Sequence, residues 1–157
     1  MKGKFMAELK TYNSIDKTAW GPGPWQGEPD HCEWVDKATG YICVINRPDH
    51  HGALCGYVVI PEGHPYYGKG YDDLPFDVHG GITYSSSLPE CLCLTSARQG
   101  WVVGFDTGHF SDYMPAIEAL LDRPYCTVTD LIYRDFDYVK REVTNLASQI
   151  KEMEMPL

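Results

Sequence analysis

Apolar positions recur in short runs through most of this chain and at a spacing of three and four only near its end. Glu33-Trp34-Val35-Asp36 and Tyr41-Ile42-Cys43-Val44-Ile45-Asn46 predict the two arms of a hairpin joined through Lys37-Ala38-Thr39-Gly40. Ala53–Ile60 is nearly all apolar, as a central strand covered on both faces would be. Val78-His79-Gly80-Gly81-Ile82-Thr83-Tyr84 and Trp101-Val102-Val103-Gly104-Phe105-Asp106 each read as a strand interrupted or followed by glycine. Leu92-Cys93-Leu94 is a further strand candidate, with turns at Leu88-Pro89-Glu90 and Ala97-Arg98-Gln99-Gly100. Pro115–Leu121 predicts a short helix with proline in its first turn. From Asp135 to Glu154 the apolar residues Phe136, Val139, Val143, Leu146, Ile150 and Met153 form one stripe of an amphipathic helix, with Asp near its start. Strands first and one long helix last predict an α+β fold, a mostly antiparallel sheet packed against the C-terminal helix.

The connecting segments have their own signatures. Residues 1–20 are mixed in character and read as an N-terminal arm, either ordered or frayed, before a single domain over 21–157. Trp20-Gly21-Pro22-Gly23-Pro24-Trp25 cannot continue a helix, and its tryptophans suit the edge of a core. Arg47–Gly52 is a polar loop whose His50-His51 pair reads as surface. Residues 61–75, rich in Gly, Pro, Tyr and Asp, make a loop long enough to imply either function or disorder, and the tyrosines favour an ordered loop.

Composition narrows the classes of function. At 157 residues the chain suits one domain with its own core. A net charge of −9 argues against duplex nucleic acid, because little surplus Lys or Arg exists to displace counterions. No run approaches the roughly 18 apolar residues of a membrane span. The first residues lack the apolar stretch of a signal peptide, so the expected location is cytoplasmic. The six cysteines (Cys32, Cys43, Cys55, Cys91, Cys93 and Cys126) contain no Cys-x-x-Cys pair and are expected to be reduced rather than paired.

Candidate chemistry gathers at two places. Asp106, His109 and Asp112 are spaced three apart, and His79 joins them if the two glycine-broken segments are neighbours. Such imidazole and carboxylate groups suit a divalent metal (zinc, manganese or iron), or metal-free acid–base work by His79 and His109. The plainer alternative has Asp106 capping a turn, Asp112 capping a helix and His109 bonded to a backbone carbonyl. In the 61–75 loop, Tyr66, Tyr67 and Tyr71, with Phe76, offer faces for a planar ring, and His64 and Lys69 offer contacts to phosphate or ribose. The plainer alternative is loop packing. Gly-x-Ser-x-Gly, Walker and Gly-x-Gly-x-x-Gly motifs are all missing, against a serine hydrolase of that type and against standard ATP or NAD folds.

Gly27-Glu28-Pro29-Asp30, Leu54–Val58, Pro61-Glu62-Gly63-His64-Pro65, Val78–Tyr84, Gly104–His109 and Tyr133–Val139 occur in this order. Together they resemble a family of small uncharacterised proteins of bacteria and their phages, from about Trp25 to about Ile150. The resemblance implies a whole domain and a phage accessory role, acting in the host cytoplasm if phage-encoded. It names no reaction. The expectation is therefore a small-molecule-binding protein for a polar, nucleotide-type metabolite or host signal, held by His79, Asp106, His109 and Asp112 with the loop residues. Two alternatives stay open: a metal-dependent hydrolase or phosphodiesterase using the same cluster, and an interaction module that blocks a host factor. A homo-oligomer is compatible with each.

Overall fold

The computed structural model describes residues 9–88, 97–125 and 130–154. Among them, six strands form one antiparallel sheet: β1 (Lys10–Tyr12), β2 (His31–Val35), β3 (Ile42–Asn46), β4 (Cys55–Ile60), β5 (Tyr84–Ser87) and β6 (Trp101–Asp106). Their spatial order is β1-β2-β3-β4-β6-β5. The expected hairpin is present, with Trp34 opposite Cys43 and Val35 opposite Ile42. Helix α1 spans Pro115–Leu120, and α2 spans Phe136–Glu152. The fold is α+β, as the spacing of apolar residues predicts.

Alternation places Cys32, Trp34, Cys43, Ile45, Val58, Ile60, Val103 and Phe105 in one core with α2. Val139, Val143, Leu146, Ala147 and Ile150 of the helix are fully buried there, which is the stripe at three- and four-residue spacing. Asp135 starts the helix by accepting from the Tyr138 amide at 2.9 Å. On the opposite face Val59, Val102 and Leu88 pack with Ile42, Tyr57 and Tyr84. This two-sided burial explains the nearly continuous apolar run of β4. Gly104 lets β6 lie close to β4: a Cβ there would stand 2.3 Å from the Tyr57 ring and 2.6 Å from the Gly56 carbonyl.

Two local expectations change, and one left open is decided. Val78–Gly81 is a turn, closed by the Gly81 amide donating to Val78 O at 2.8 Å, and the strand begins only at Tyr84. Gly80 and Gly81 both have positive φ, which ends any extended run. The N-terminal arm is ordered where it is described: β1 pairs with β2, and Lys17 is buried against Asp30. Trp25 is fully buried, stacked on Tyr113 with ring centroids 5.6 Å apart, so it forms a core of its own instead of an edge. Leu92-Cys93-Leu94, Pro89-Glu90, Cys91 and Cys126 lie outside the described residues. Cys32, Cys43 and Cys55 are free and buried. Burial pushes the Cys32 thiol up to about 11 and the Cys55 thiol up to about 12, so both stay protonated and unreactive near neutral pH.

Candidate functional site

The turn at Val78–Gly81, the chain following β6 and the first turns of α2 meet at one end of the sheet. Asp112 is their centre. Its carboxylate is completely buried and faces four donor groups. His79 Nε2 donates to Oδ2 at 2.9 Å and lies 3.1 Å from Oδ1. The His109 backbone amide and His109 Nδ1 reach Oδ2 at 3.1 and 3.2 Å. Arg134 Nε donates to Oδ1 at 3.0 Å. Burial alone would raise the Asp112 carboxyl. The hydrogen bonds from His79, the His109 amide and Arg134 outweigh it and hold the group below the usual carboxylate range.

Each histidine is held from its other side. The Tyr138 hydroxyl is 2.8 Å from His79 Nδ1. Burial, with Glu142 beside it, pushes the Tyr138 phenol up. It remains a hydroxyl, which can donate to Nδ1 or accept from it. Glu142 Oε1 accepts from the His79 amide at 2.7 Å, and the Arg134 guanidinium lies 5.0 Å from the centre of the Tyr138 ring. His109 Nε2 faces Asp106 Oδ1 at 3.4 Å. Asp106 is fixed in turn by the Gly108 amide at 2.9 Å and Thr83 Oγ1 at 3.2 Å. The two imidazole centroids are 5.6 Å apart. Gly80 makes this approach possible, because a Cβ there would stand 2.3 Å from His109 Cε1 and its φ is +71°.

The structure thus brings together His79, Asp106, His109 and Asp112. Asp106 does cap the turn after β6. Asp112 does not cap a helix; its backbone forms an isolated parallel bridge with Ile132. The loop residues lie elsewhere. Lys69 O accepts from Trp101 Nε1 at 2.9 Å, and Tyr67 packs on Trp101, at the start of β6, whereas Asp106 ends that strand. At about 3.4 Å per residue the two ends are roughly 17 Å apart. His64 is buried, its Nε2 2.8 Å from Ile150 O in the last turn of α2 and its Nδ1 accepting from the Tyr66 amide at 3.0 Å. Tyr66 packs edge-on against Phe76, and Tyr71 is half exposed. None of His64, Tyr66, Tyr67, Lys69 and Tyr71 lines the cavity at His109 and Asp112; the first three have packing roles in the loop.

Arg134, Tyr138 and Glu142 complete the site and were not legible as site residues. Tyr138 and Glu142 stand four apart on a helix, so they share a face, but only the packing of α2 shows what that face meets. His51 is a further neighbour and not a free surface residue. Its Nδ1 accepts from the Ala53 amide at 2.9 Å, and burial, followed by the nearby His50, lowers its pKa.

Beside the cluster lies a cavity of about 490 Å³, with His109 and Asp112 on its wall and Phe110, Met114, Ile117, Leu121 and Leu131 supplying apolar surface. Glu118, paired with Arg123 at 2.7 Å, adds a polar element. Phe110 is fully exposed and Leu121 is 56% exposed. Among the described residues, no helix is long and apolar enough to cross a membrane. Comparison with models of protein families, with curated proteins and with solved structures found no match.

Proposed function

We propose that this protein binds a small ligand of nucleotide type, with a polar group at the His79–Asp112–His109 cluster and a planar or apolar body in the adjoining cavity. The observation that carries this is the cavity itself: about 490 Å³ of mixed wall directly beside an ordered polar cluster. Small-molecule sites typically combine such a volume, on the order of 300–1,000 Å³, with a few fixed polar groups. Phe110 presents an uncovered aromatic face next to His109, suited to stacking on a base. The 3.4 Å contact between His109 Nε2 and Asp106 is the longest in the cluster, and both side chains are about one-third exposed. His109 Nε2 is therefore the atom most easily given up to a ribose or phosphate oxygen. The resemblance to proteins of bacteria and their phages supports, by association only, an accessory role in which capture removes a metabolite or signal.

The test is native mass spectrometry of the purified chain, followed by calorimetric titration with adenosine and guanosine mono-, di- and triphosphates. One bound equivalent is expected, weakened about ten- to a hundredfold by His109→Ala, the scale of one charge-assisted hydrogen bond. Phe110→Ala should weaken it too. The proposal fails if no nucleotide binds and no small molecule accompanies the protein, or if both variants bind as the parent does. Hydrolysed phosphate ester in the same incubations would replace capture by the second reading, a metal-dependent hydrolase or phosphodiesterase. The convergence of two imidazoles and a carboxylate favours that alternative.

A further inference from the structure

We propose that His79 Nε2, His109 Nδ1 and Asp112 Oδ2 are the three protein ligands of a divalent transition-metal centre, with Asp106 outside the ligand set. One ligand atom from each residue lies within 4.8 Å of the other two. The edges through Asp112 Oδ2 are 2.9 Å to His79 and 3.2 Å to His109. An ion with arms of about 2.0–2.2 Å, tetrahedral or octahedral, separates neighbouring ligand atoms by roughly 2.9–3.5 Å. Both edges through Asp112 fall in that range.

The stronger observation is what holds the atoms facing away. In a built metal site each ligating imidazole has its second nitrogen engaged, and each ligating carboxylate is itself hydrogen-bonded. Here Tyr138 Oη stands at His79 Nδ1, Asp106 Oδ1 at His109 Nε2 and Arg134 Nε at Asp112 Oδ1. Three ligands thus have three outer partners, drawn from α2, from β6 and from the segment before α2. When an ion takes His79 Nε2 and His109 Nδ1, the protons these atoms share with Asp112 leave them; each neutral imidazole then carries its proton on the other nitrogen, with the Tyr138 hydroxyl turned to accept at His79 Nδ1 and Asp106 Oδ1 accepting at His109 Nε2. Asp106 therefore orients a ligand. Two imidazoles and one carboxylate suit zinc and its neighbours over calcium or magnesium, which prefer an all-oxygen shell. Three protein ligands leave positions open for water or for an oxygen of a bound molecule.

The centre uses the same three residues as the nucleotide proposal but rests on different observations, and it is tested with the metal alone. Chelator-stripped protein is titrated with Zn²⁺ against a chromophoric chelator, and with Co²⁺ followed by its visible spectrum. One equivalent bound at micromolar dissociation constant or tighter is expected. His79→Ala and His109→Ala should each weaken it at least a hundredfold, and Asp106→Asn about ten- to a hundredfold, the effect of an outer partner. In the unaltered protein, ¹⁵N shifts should move at His79 Nε2 and His109 Nδ1 and stay put at His31 and His64, which guards against variants that fail to fold. Binding no tighter than millimolar, binding that persists in both histidine variants, or shifts confined to other histidines or to thiols would overturn the centre. Nucleotide titration in excess chelator separates the two proposals: binding there with no metal site retains the first and removes the second.

Discussion

Gly80 shows how little freedom one residue has when two imidazoles must meet. Its φ of +71° disfavours any side chain, and its missing Cβ is the space taken by the His109 ring. Gly80→Ala should therefore cost roughly 1–3 kcal/mol, the scale of backbone strain at one residue, and should displace His109. Chemical denaturation reads the first effect and the His109 imidazole proton shifts the second. Unchanged stability with unchanged shifts would mean that the turn adapts and that the close contact does not define the site. The types and spacing of Asp106, His109 and Asp112 were visible in the chain. That Asp112 is the buried hub and Asp106 a partly exposed neighbour of His109 was not, because burial depends on which segments close over a residue.

At the scale of elements, α2 has two jobs on two faces. Its apolar stripe covers the sheet, and its first turns carry Tyr138 and Glu142 to the turn that holds His79. The stripe was legible because helical periodicity is a local property of the chain. Leu146, fully buried against the sheet, lies about one turn beyond Glu142. Leu146→Ala should lower stability by about 2–5 kcal/mol, the range for an emptied core site. Metal or nucleotide affinity of the folded variant should stay within a few-fold of the parent. Equilibrium urea unfolding combined with either titration checks this. Lost binding with intact stability would show that the helix face has been misassigned. The segment from Val78 to Thr83 is the counterexample. Its apolar and β-branched residues resemble a strand, yet two successive glycines with positive φ make it a turn.

Across the whole molecule, a second buried network ties the segment from Ser14 to Lys17 to the start of α2 beside the site. Asp30 accepts from the Ser14 and Ile15 amides, from Lys17 Nζ at 2.8 Å and from Arg47 Nε at 3.0 Å. Arg47 continues to Tyr133 and Glu28, and Glu28 Oε2 accepts from the Phe136 amide at 2.9 Å, at the start of α2. The Gly27–Asp30 motif and the Tyr133–Val139 motif thus meet in one structural joint that places Arg134 and Tyr138. Burial raises the Asp30 carboxyl, but the bonds from Lys17, Ile15 and Ser14 lower it further, for a net shift below its ordinary value. A depressed folded pKa gives stability that is fully present above the unfolded value, about 3.9, and is lost as pH falls through the folded one. Asp30→Asn leaves Lys17 and Arg47 buried without this partner and should cost about 3–5 kcal/mol at pH 7. Between pH 5 and pH 2 the variant should also lose stability less steeply than the parent. Parallel acid limbs in urea unfolding at several pH values would refute that role for Asp30.

The elements of this protein follow from local chemistry. The hairpin, the doubly buried central strand, the proline-started short helix and the long amphipathic helix each carry a period or turn signal within a few residues, and those signals needed no knowledge of distant contacts. The sequence also held the four residues of the cluster at a spacing that allowed them to converge. Only the tertiary structure decided the rest. It separated the tyrosine-rich loop from the histidines, because β6 and α2 set the two groups at opposite ends of the same sheet. It recruited Arg134, Tyr138 and Glu142, whose partners are more than twenty residues away in the chain. Strand and helix periods arise from neighbouring residues, whereas the meeting of the histidines, Asp112, their partners and the cavity wall arises from burial that distant segments create together.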